Sequence, residues 1–207
     1  MSSPRTLLVA TRNQGKLREL ITMMGDLPFI VVDLSSFPLV DAIAETGETF
    51  EENACLKAVG YAGQTGMLTL ADDSGLMVDA LDGAPGVQSA RYAGLGAADA
   101  ERVERLLNEL SGTQPAERTA RFVSVVVVSN AEGNILSISR GECPGHIALS
   151  PRGSGGFGYD PIFRPDGKES TFGELPAAVK NEISHRARAL SGALSFLRSL
   201  TATRADV

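Results

Sequence analysis

The run Arg121–Ser129, RFVSVVVVS, constrains the fold more than any other segment. Its valines are β-branched and pack best on a pleated surface, so it predicts a strand. Ile135–Arg140 alternates in polarity and predicts a hairpin partner for it. Elsewhere strand and helix patterns alternate. Thr6–Ala10 is a short apolar run that predicts a buried strand. Leu17, Leu20, Ile21 and Met24 recur at i, i+3, i+4, i+7 and predict an amphipathic helix ended by Gly25. Phe29–Leu34 predicts a second strand. Thr49 and Glu52 form a T-x-x-E capping box. The helix it opens reaches about Ala62, with Phe50, Ala54, Ala58 and Tyr61 on one face and Asn53 and Lys57 sharing a side. Met67–Ala71 predicts a strand broken by Asp72-Asp73-Ser74-Gly75, and Leu76–Leu81 resumes the apolar pattern. Gly83–Gly96 reads as loop, and Val103, Leu106, Leu107 and Leu110 as helix. Ile183, Ala187, Leu190, Leu194 and Leu197 predict a long C-terminal helix. The class is α/β or mixed α+β.

The chain has 207 residues, enough for one large domain or two small lobes. A chain of this size buries roughly 70% of its unfolded surface without staples. It carries 19 basic and 25 acidic residues, a net charge of −6, opposite in sign to a nucleic-acid backbone binder. Any anion it binds must therefore meet local cations. Cys55 and Cys143 form no CxxC, and both are expected to be buried free thiols. The N-terminus lacks an apolar signal core, and no run approaches the ~20 residues of a membrane span. No membrane partner and a cytoplasmic location are expected.

Five constellations could carry chemistry. The first is the loop Thr11-Arg12-Asn13-Gln14-Gly15-Lys16 between a strand and a helix. Ligands of open α/β sheets bind at the carboxyl ends of strands. A helix N-terminus offers N–H groups and a positive dipole end to phosphate. Lys16 lies in the first turn, where a cation disfavours the helix unless an anion sits there. The P-loop pattern is absent, and an ordinary polar loop is the plain alternative. The second is Asp72-Asp73-Ser74-Gly75 at the expected strand end. Adjacent carboxylates repel and need compensation. Mg²⁺ takes one or two carboxylates plus substrate phosphates, and a carboxylate can accept a proton from attacking water. A simple turn is the alternative. The third is Glu45-Thr46-Gly47 with Glu52, Asn53 and Lys57, or else a solvated helix face.

The fourth is Gly153-Ser154-Gly155-Gly156-Phe157-Gly158-Tyr159-Asp160-Pro161. It formally matches G-x-G-x-x-G, but Pro161 and Pro165 follow and no helical pattern does, so it is no dinucleotide fingerprint. Phe157 and Tyr159 suit stacking on a flat base, against the alternative of a flexible loop. The fifth is Lys180 with Ser184-His185-Arg186, a small cationic donor group or a solvated helix face. His146 stands alone and is assigned no role.

In this order, ATRNQGKLREL (10–20), ETGETFEENACLKA (45–58), ADDSGLMVDALDGAPGVQSARYAG (71–94), GGFGYDPIF (155–163) and KNEISHRARAL (180–190) resemble the inosine/xanthosine triphosphate pyrophosphatase family. Each segment alone is weak; five in order are specific and cover essentially the whole chain. The resemblance implies one domain over residues 1–207 with an α/β fold. That fold is an elongated central mixed β-sheet flanked by helices, in two lobes with the active-site cleft between them. It also implies a homodimer. Thr11, Arg12, Asn13, Gln14, Gly15 and Lys16 match the phosphate-binding loop, with Lys57 a further substrate contact. Asp73 matches the general base and Mg²⁺ ligand, and Ser74 a substrate contact. Phe157, Gly158, Tyr159 and Asp160 match the loop enclosing the base, and Lys180, His185 and Arg186 the end that reads it. Two positions depart from the pattern. Arg12 stands where many members have Gly, and Ala44 where some carry an acid. The neighbouring Glu45 is the substitute metal ligand.

The implied activity is Mg²⁺-dependent hydrolysis of non-standard purine nucleoside triphosphates to monophosphate and pyrophosphate, cleansing the nucleotide pool. Mg²⁺ would bridge phosphate oxygens and Asp73, with Glu45 or Asp72 as further ligands. Lys16 and Lys57 would neutralise phosphate charge. Asp73 would orient or deprotonate the water attacking the α-phosphorus. Base choice would rest on the 6-keto acceptor of hypoxanthine and xanthine. Two other readings stay open: a pyrophosphatase for pyrimidine or other modified nucleotides, and a nucleotide-binding regulator without turnover. The Asp pair argues against the regulator, because a polyanion site gains little from two extra carboxylates.

Overall fold

The computed structural model describes residues 5–202. β1 (Arg5–Val9) has parallel neighbours on both edges, β2 (Phe29–Asp33) and β3 (Leu68–Val78). Leu7, Leu8 and Val9 are fully buried. Parallel strands covered on both faces read as unbroken apolar runs, which is why this segment shows no alternation. The register sets Leu7 opposite Val31 and Leu68. β4 (Thr119–Ser129), β5 (Ile135–Ile147) and β6 (Phe163–Pro165) complete one six-stranded sheet of order β2-β1-β3-β4-β5-β6. The β5–β6 pair is antiparallel, so the sheet is mixed. The valine run lies in β4, between β3 and β5, with Val123 and Val125 to Val128 fully buried. The helices flanking the sheet are α1 (Gln14–Met24), α2 (Phe50–Thr65), α3 (Asp99–Glu109), α4 (Ala177–Ile183) and α5 (His185–Ala202). Among the described residues, no helix is long and apolar enough to cross a membrane.

Contacts group the chain into two compact units. The first holds the residues up to Asp73, then Ser124–Gly141 and the chain from Arg186 on. Its core joins Leu7 and Val9 of β1, Leu17, Leu20 and Met24 of α1, Leu70, Val126 and Val128, and Leu190, Leu194 and Leu197 of α5. The second holds Ser74–Val123 and Glu142–His185. Its core joins Leu76, Val78, Leu106, Leu110, Phe122, Ile162, Phe163 and Phe172.

Five local expectations change. β3 runs through Asp72-Asp73-Ser74-Gly75 without a break. The turn propensity of these residues yields because each carboxylate meets a cation inside the sheet. Ile21 is 46% exposed, so the buried stripe of α1 is the narrower Leu17, Leu20, Met24. Ile183 closes α4, and α5 starts only at His185. Ser184 between them is extended, at φ −70 and ψ 160, as suits a residue that caps helices well. Gly83–Gly96 contains a 3-10 segment, Gly86–Arg91, that buries Ser89. Of the two free thiols, Cys143 is buried and Cys55 only half-buried. The capping box forms as expected, with Thr49 Oγ1 accepting from Glu52 N–H and the Glu52 carboxylate accepting from Thr49 N–H.

This burial pattern predicts that Leu20→Ala destabilises the protein by about 2–5 kcal/mol, because it opens a cavity in the first core. Ile21→Ala should stay within about 0.5 kcal/mol. Urea unfolding of both variants checks the contrast.

Candidate active site

Side chains alternate across a strand, so consecutive residues of β3 face opposite ways. Asp72 meets Lys16 Nζ at 2.9 Å and Arg186 Nε at 3.6 Å, and its Oδ1 accepts from the Ser124 hydroxyl. Asp73 Oδ1 accepts from Lys57 Nζ at 2.6 Å. Both carboxylates are buried, at 1% and 5% exposure. Burial alone would raise Asp72, but the charges of Lys16 and Arg186 and the Ser124 hydroxyl hold it well below the ordinary carboxylate range. Asp73 behaves in the opposite way. Burial lifts it above the ordinary value, and Lys16 and Lys57 oppose the rise without cancelling it.

Lys57 serves two carboxylates, because its Nζ also reaches Glu45 Oε1 at 2.9 Å. Burial would lower Lys57, yet Asp73 and Glu45 together raise it. A shared ammonium gains more than either carboxylate, which fits a raised Lys57 beside a raised Asp73. Asn53, fully buried, holds the segment carrying Glu45: its Oδ1 accepts from Gly47 N–H at 2.8 Å and its Nδ2 donates to Gly47 O at 3.3 Å. Asp73 and Glu45 therefore converge on one cationic point. That donor set fits Mg²⁺, which takes one or two carboxylates when phosphates supply the rest. Among the described residues no group of three His, Cys, Asp or Glu side chains could hold a metal by itself. Asp72 offers less, since both its oxygens are already engaged by protein groups.

α1 begins at Gln14, so only Thr11, Arg12 and Asn13 are loop. Asn13 caps the helix by accepting from Lys16 N–H at 3.0 Å, and Thr11 Oγ1 accepts from Asn13 N–H at 3.2 Å. The first-turn N–H groups of a helix have no intrahelical partner, which suits an anion. Burial lowers Lys16, and Asp72 opposes this. Its ammonium is thus spoken for by Asp72 rather than standing alone. Arg12, the departure from the family pattern, donates from Nη2 to Val40 O at 2.7 Å and from Nε to the Tyr61 hydroxyl at 3.3 Å. Its side chain ties the loop to α2 and the preceding segment.

In the second unit, Ser74 continues β3, and the glycine loop stays irregular through Gly158. Asp160 Oδ2 accepts from Phe157 N–H at 2.8 Å and from Lys180 Nζ at 2.5 Å, both acidic and basic groups being buried. Gly156, at φ +74, packs against that carboxylate so closely that a Cβ would collide with it. Lys180 lies 4.9 Å from the Phe157 ring centroid and 5.5 Å from that of Phe172. Tyr159 is buried, and its hydroxyl donates to Ser89 O at 2.9 Å. Burial raises its pKa. Of the two loop aromatics, Phe157 is the more accessible. His185 stacks on Phe122 at 4.6 Å. The cationic trio on the last helices is divided: Lys180 and His185 belong to the second unit, and Arg186 to the first, with Glu19 and Asp72. Two residues that the sequence reading does not single out contribute here: Ser124, the hydroxyl inside the valine run, and Glu19, whose partner Arg186 no local pattern signals. Asn53, grouped with Glu45 and Lys57 from the sequence, does bond within that group, to Gly47.

The fold is thus a mixed α/β sheet whose strand β3 carries two buried lysine–aspartate pairs, one at the N-terminus of α1 and one with the middle of α2. The comparisons sharpen this. The Ham1 family model matches residues 7–196, and the chain belongs to that family. A dITP/XTP pyrophosphatase of Geobacter sulfurreducens is 50% identical over 185 residues, 89% of this chain and 92% of the relative. One from Nostoc sp. is 44% identical over 202 residues, 98% and 99% of the two chains. The solved HAM1 protein of Coxiella burnetii superimposes with a TM-score of 0.85 at 42% identity, over 94% of this chain and 99% of that one.

The Asp72 network yields a sharp stability prediction. Asp72→Asn leaves Lys16 and Arg186 facing a neutral amide, and breaking a buried pair in this way costs about 3–5 kcal/mol. The Asp72 pKa is lowered on folding, so its contribution is fully present above the unfolded value near 4 and fades as pH falls below it. Urea unfolding should show the full gap between wild type and variant at pH 7 and a narrower one near pH 3.

Proposed function

We propose that this protein hydrolyses non-standard purine nucleoside triphosphates, those of inosine, deoxyinosine and xanthosine, to the monophosphate and pyrophosphate, and so cleanses the nucleotide pool. The observation that carries the reading is the raised, buried Asp73 carboxylate held by Lys57 beside Glu45. The names of the relatives support the same substrate class. A general base works best when its pKa approaches the working pH, and burial moves Asp73 in that direction. Asp73 accepts a proton from water as the water oxygen bonds to the α-phosphorus. The bond from that phosphorus to the bridging oxygen breaks, and pyrophosphate leaves with the electron pair. Lys16 and the N-terminus of α1 take phosphate charge, and Lys57 keeps Asp73 in place. Asp73 and Glu45 are the proposed Mg²⁺ ligands; the ion would offset charge on the phosphate oxygens. We further propose a homodimer in the cytoplasm, with no nucleic-acid or membrane partner.

Phosphoryl transfer is mostly positioning and charge stabilisation, so the base is where selectivity arises. Phe157 is the ring proposed to stack on it. A 6-keto oxygen accepts a hydrogen bond where adenine's 6-amino group cannot, and such a site discriminates by factors on the order of 10⁴. Lys180, His185 and Arg186 are the proposed donors, although Lys180 and Arg186 already hold carboxylates. An Arg186→Ala enzyme should lose preference for inosine over adenosine triphosphate. Unchanged preference would confine Arg186 to holding Asp72.

The test incubates the protein with Mg²⁺ and, separately, inosine, xanthosine, adenosine and guanosine triphosphates. Pyrophosphate from the first two is expected, lost on chelation of Mg²⁺. Asp73→Asn should lower turnover at least about a hundredfold with the fold intact, the low end of a general base's contribution. Release of orthophosphate would move the attack to the γ-phosphorus, tight binding without products would favour the regulator, and turnover confined to pyrimidine nucleotides would redirect the substrate class.

A further inference from the structure

Asp99 opens α3, and the chemistry above does not use it. Its Oδ2 accepts the backbone N–H of Gly158 at 2.6 Å, so a helix in one part of the second unit grips the glycine loop in another. Its Oδ1 is held by Arg102. That guanidinium also donates to the carbonyls of Ala97 at 2.5 Å and Ala90 at 3.0 Å, which fixes the direction of the carboxylate. Glu101 of the same turn reaches back to accept from Ala98 N–H at 2.6 Å, whereas the Asp99 carboxylate is directed to Arg102 and Gly158. Phe157 N–H, one residue earlier in the loop, goes to Asp160. Two carboxylates, each with its own cation, thus take two consecutive N–H groups of the segment that presents the Phe157 ring. Gly158 sits at φ +62, so the loop turns sharply at the residue Asp99 holds.

We propose that Asp99 is a positioning residue for the base: its carboxylate latches Gly158 N–H and presents Phe157 already ordered for stacking. The proposal rests on the nucleotide function above. A loop ordered in advance spends less of its binding energy on immobilisation, so the latch acts on substrate affinity rather than on the bond-breaking step. A hydrogen bond to a charged group changes an equilibrium by roughly ten- to a hundredfold.

The test reads hydrogen exchange of the peptide covering residues 155–161 without nucleotide, and steady-state hydrolysis of inosine triphosphate, in Asp99→Ala, Asp99→Asn and Glu101→Ala. In Asp99→Ala, loop exchange should quicken and KM rise by about tenfold each, with kcat within about twofold. Asp99→Asn keeps an acceptor oxygen and should restore part of both. Glu101→Ala weakens the same helix end and should leave both readouts at wild-type values. Unchanged loop exchange or unchanged KM in Asp99→Ala, or the same changes in Glu101→Ala, would overturn the latch. If the wild type releases no pyrophosphate, the nucleotide reading fails together with the base-positioning role. The grip on Gly158 then stands or falls on exchange alone.

Discussion

Opposite facing of consecutive strand residues lets Asp72 and Asp73 coexist inside a sheet. Placed side by side in one direction, two buried carboxylates could not both ionise. On β3 each meets a different helix: Asp72 finds Lys16 of α1, and Asp73 finds Lys57 of α2. The two lysines therefore dock their helices on the strand by charge as well as by apolar burial. Unequal compensation then separates the carboxylates. Asp72 contacts two cations and a hydroxyl and stays low; Asp73 contacts one ammonium, shared with Glu45, and burial raises it in spite of the nearby charges of Lys16 and Lys57. Two neighbouring acids are thus set apart, one held low and one raised, by their surroundings alone.

The second unit applies the same device to a loop. A glycine-rich segment has no intrinsic preference for one shape, and its N–H groups need partners wherever it is buried. Asp160 and Asp99 supply them, and Lys180 and Arg102 balance the charge. The cation between Phe157 and Phe172 also gains from the ring faces. The loop is thereby given a definite course without regular secondary structure.

Much of this was legible in the sequence. The order of strands and helices followed from periodicity, because period 2 and period 3.6 are imposed by burial. Lys16 stood out because a cation in the first turn of a helix is unfavourable without an anion; Asp73 because adjacent carboxylates need compensation; and Lys57 because it shares a helix side with Asn53 close to Glu45. Local rules failed where distant residues decided the outcome. The expected break at Asp72 was overridden by Lys16 and Lys57, which lie far back in the chain. Ile21 fitted the helical pattern but met no core. Lys180, His185 and Arg186 looked like one donor cluster, yet Ser184 splits the helix and the buried acids Asp160 and Asp72 claim Lys180 and Arg186. No spacing rule pairs Asp99 with Gly158, fifty-nine positions on.

The central claim is that water, directed by Asp73, attacks the α-phosphorus. Hydrolysis of inosine triphosphate in oxygen-18 water tests it directly, because the label marks the phosphorus that was attacked. The account predicts one labelled oxygen in inosine monophosphate and none in pyrophosphate. Label in pyrophosphate would place the attack on the β-phosphorus and contradict the role given to Asp73.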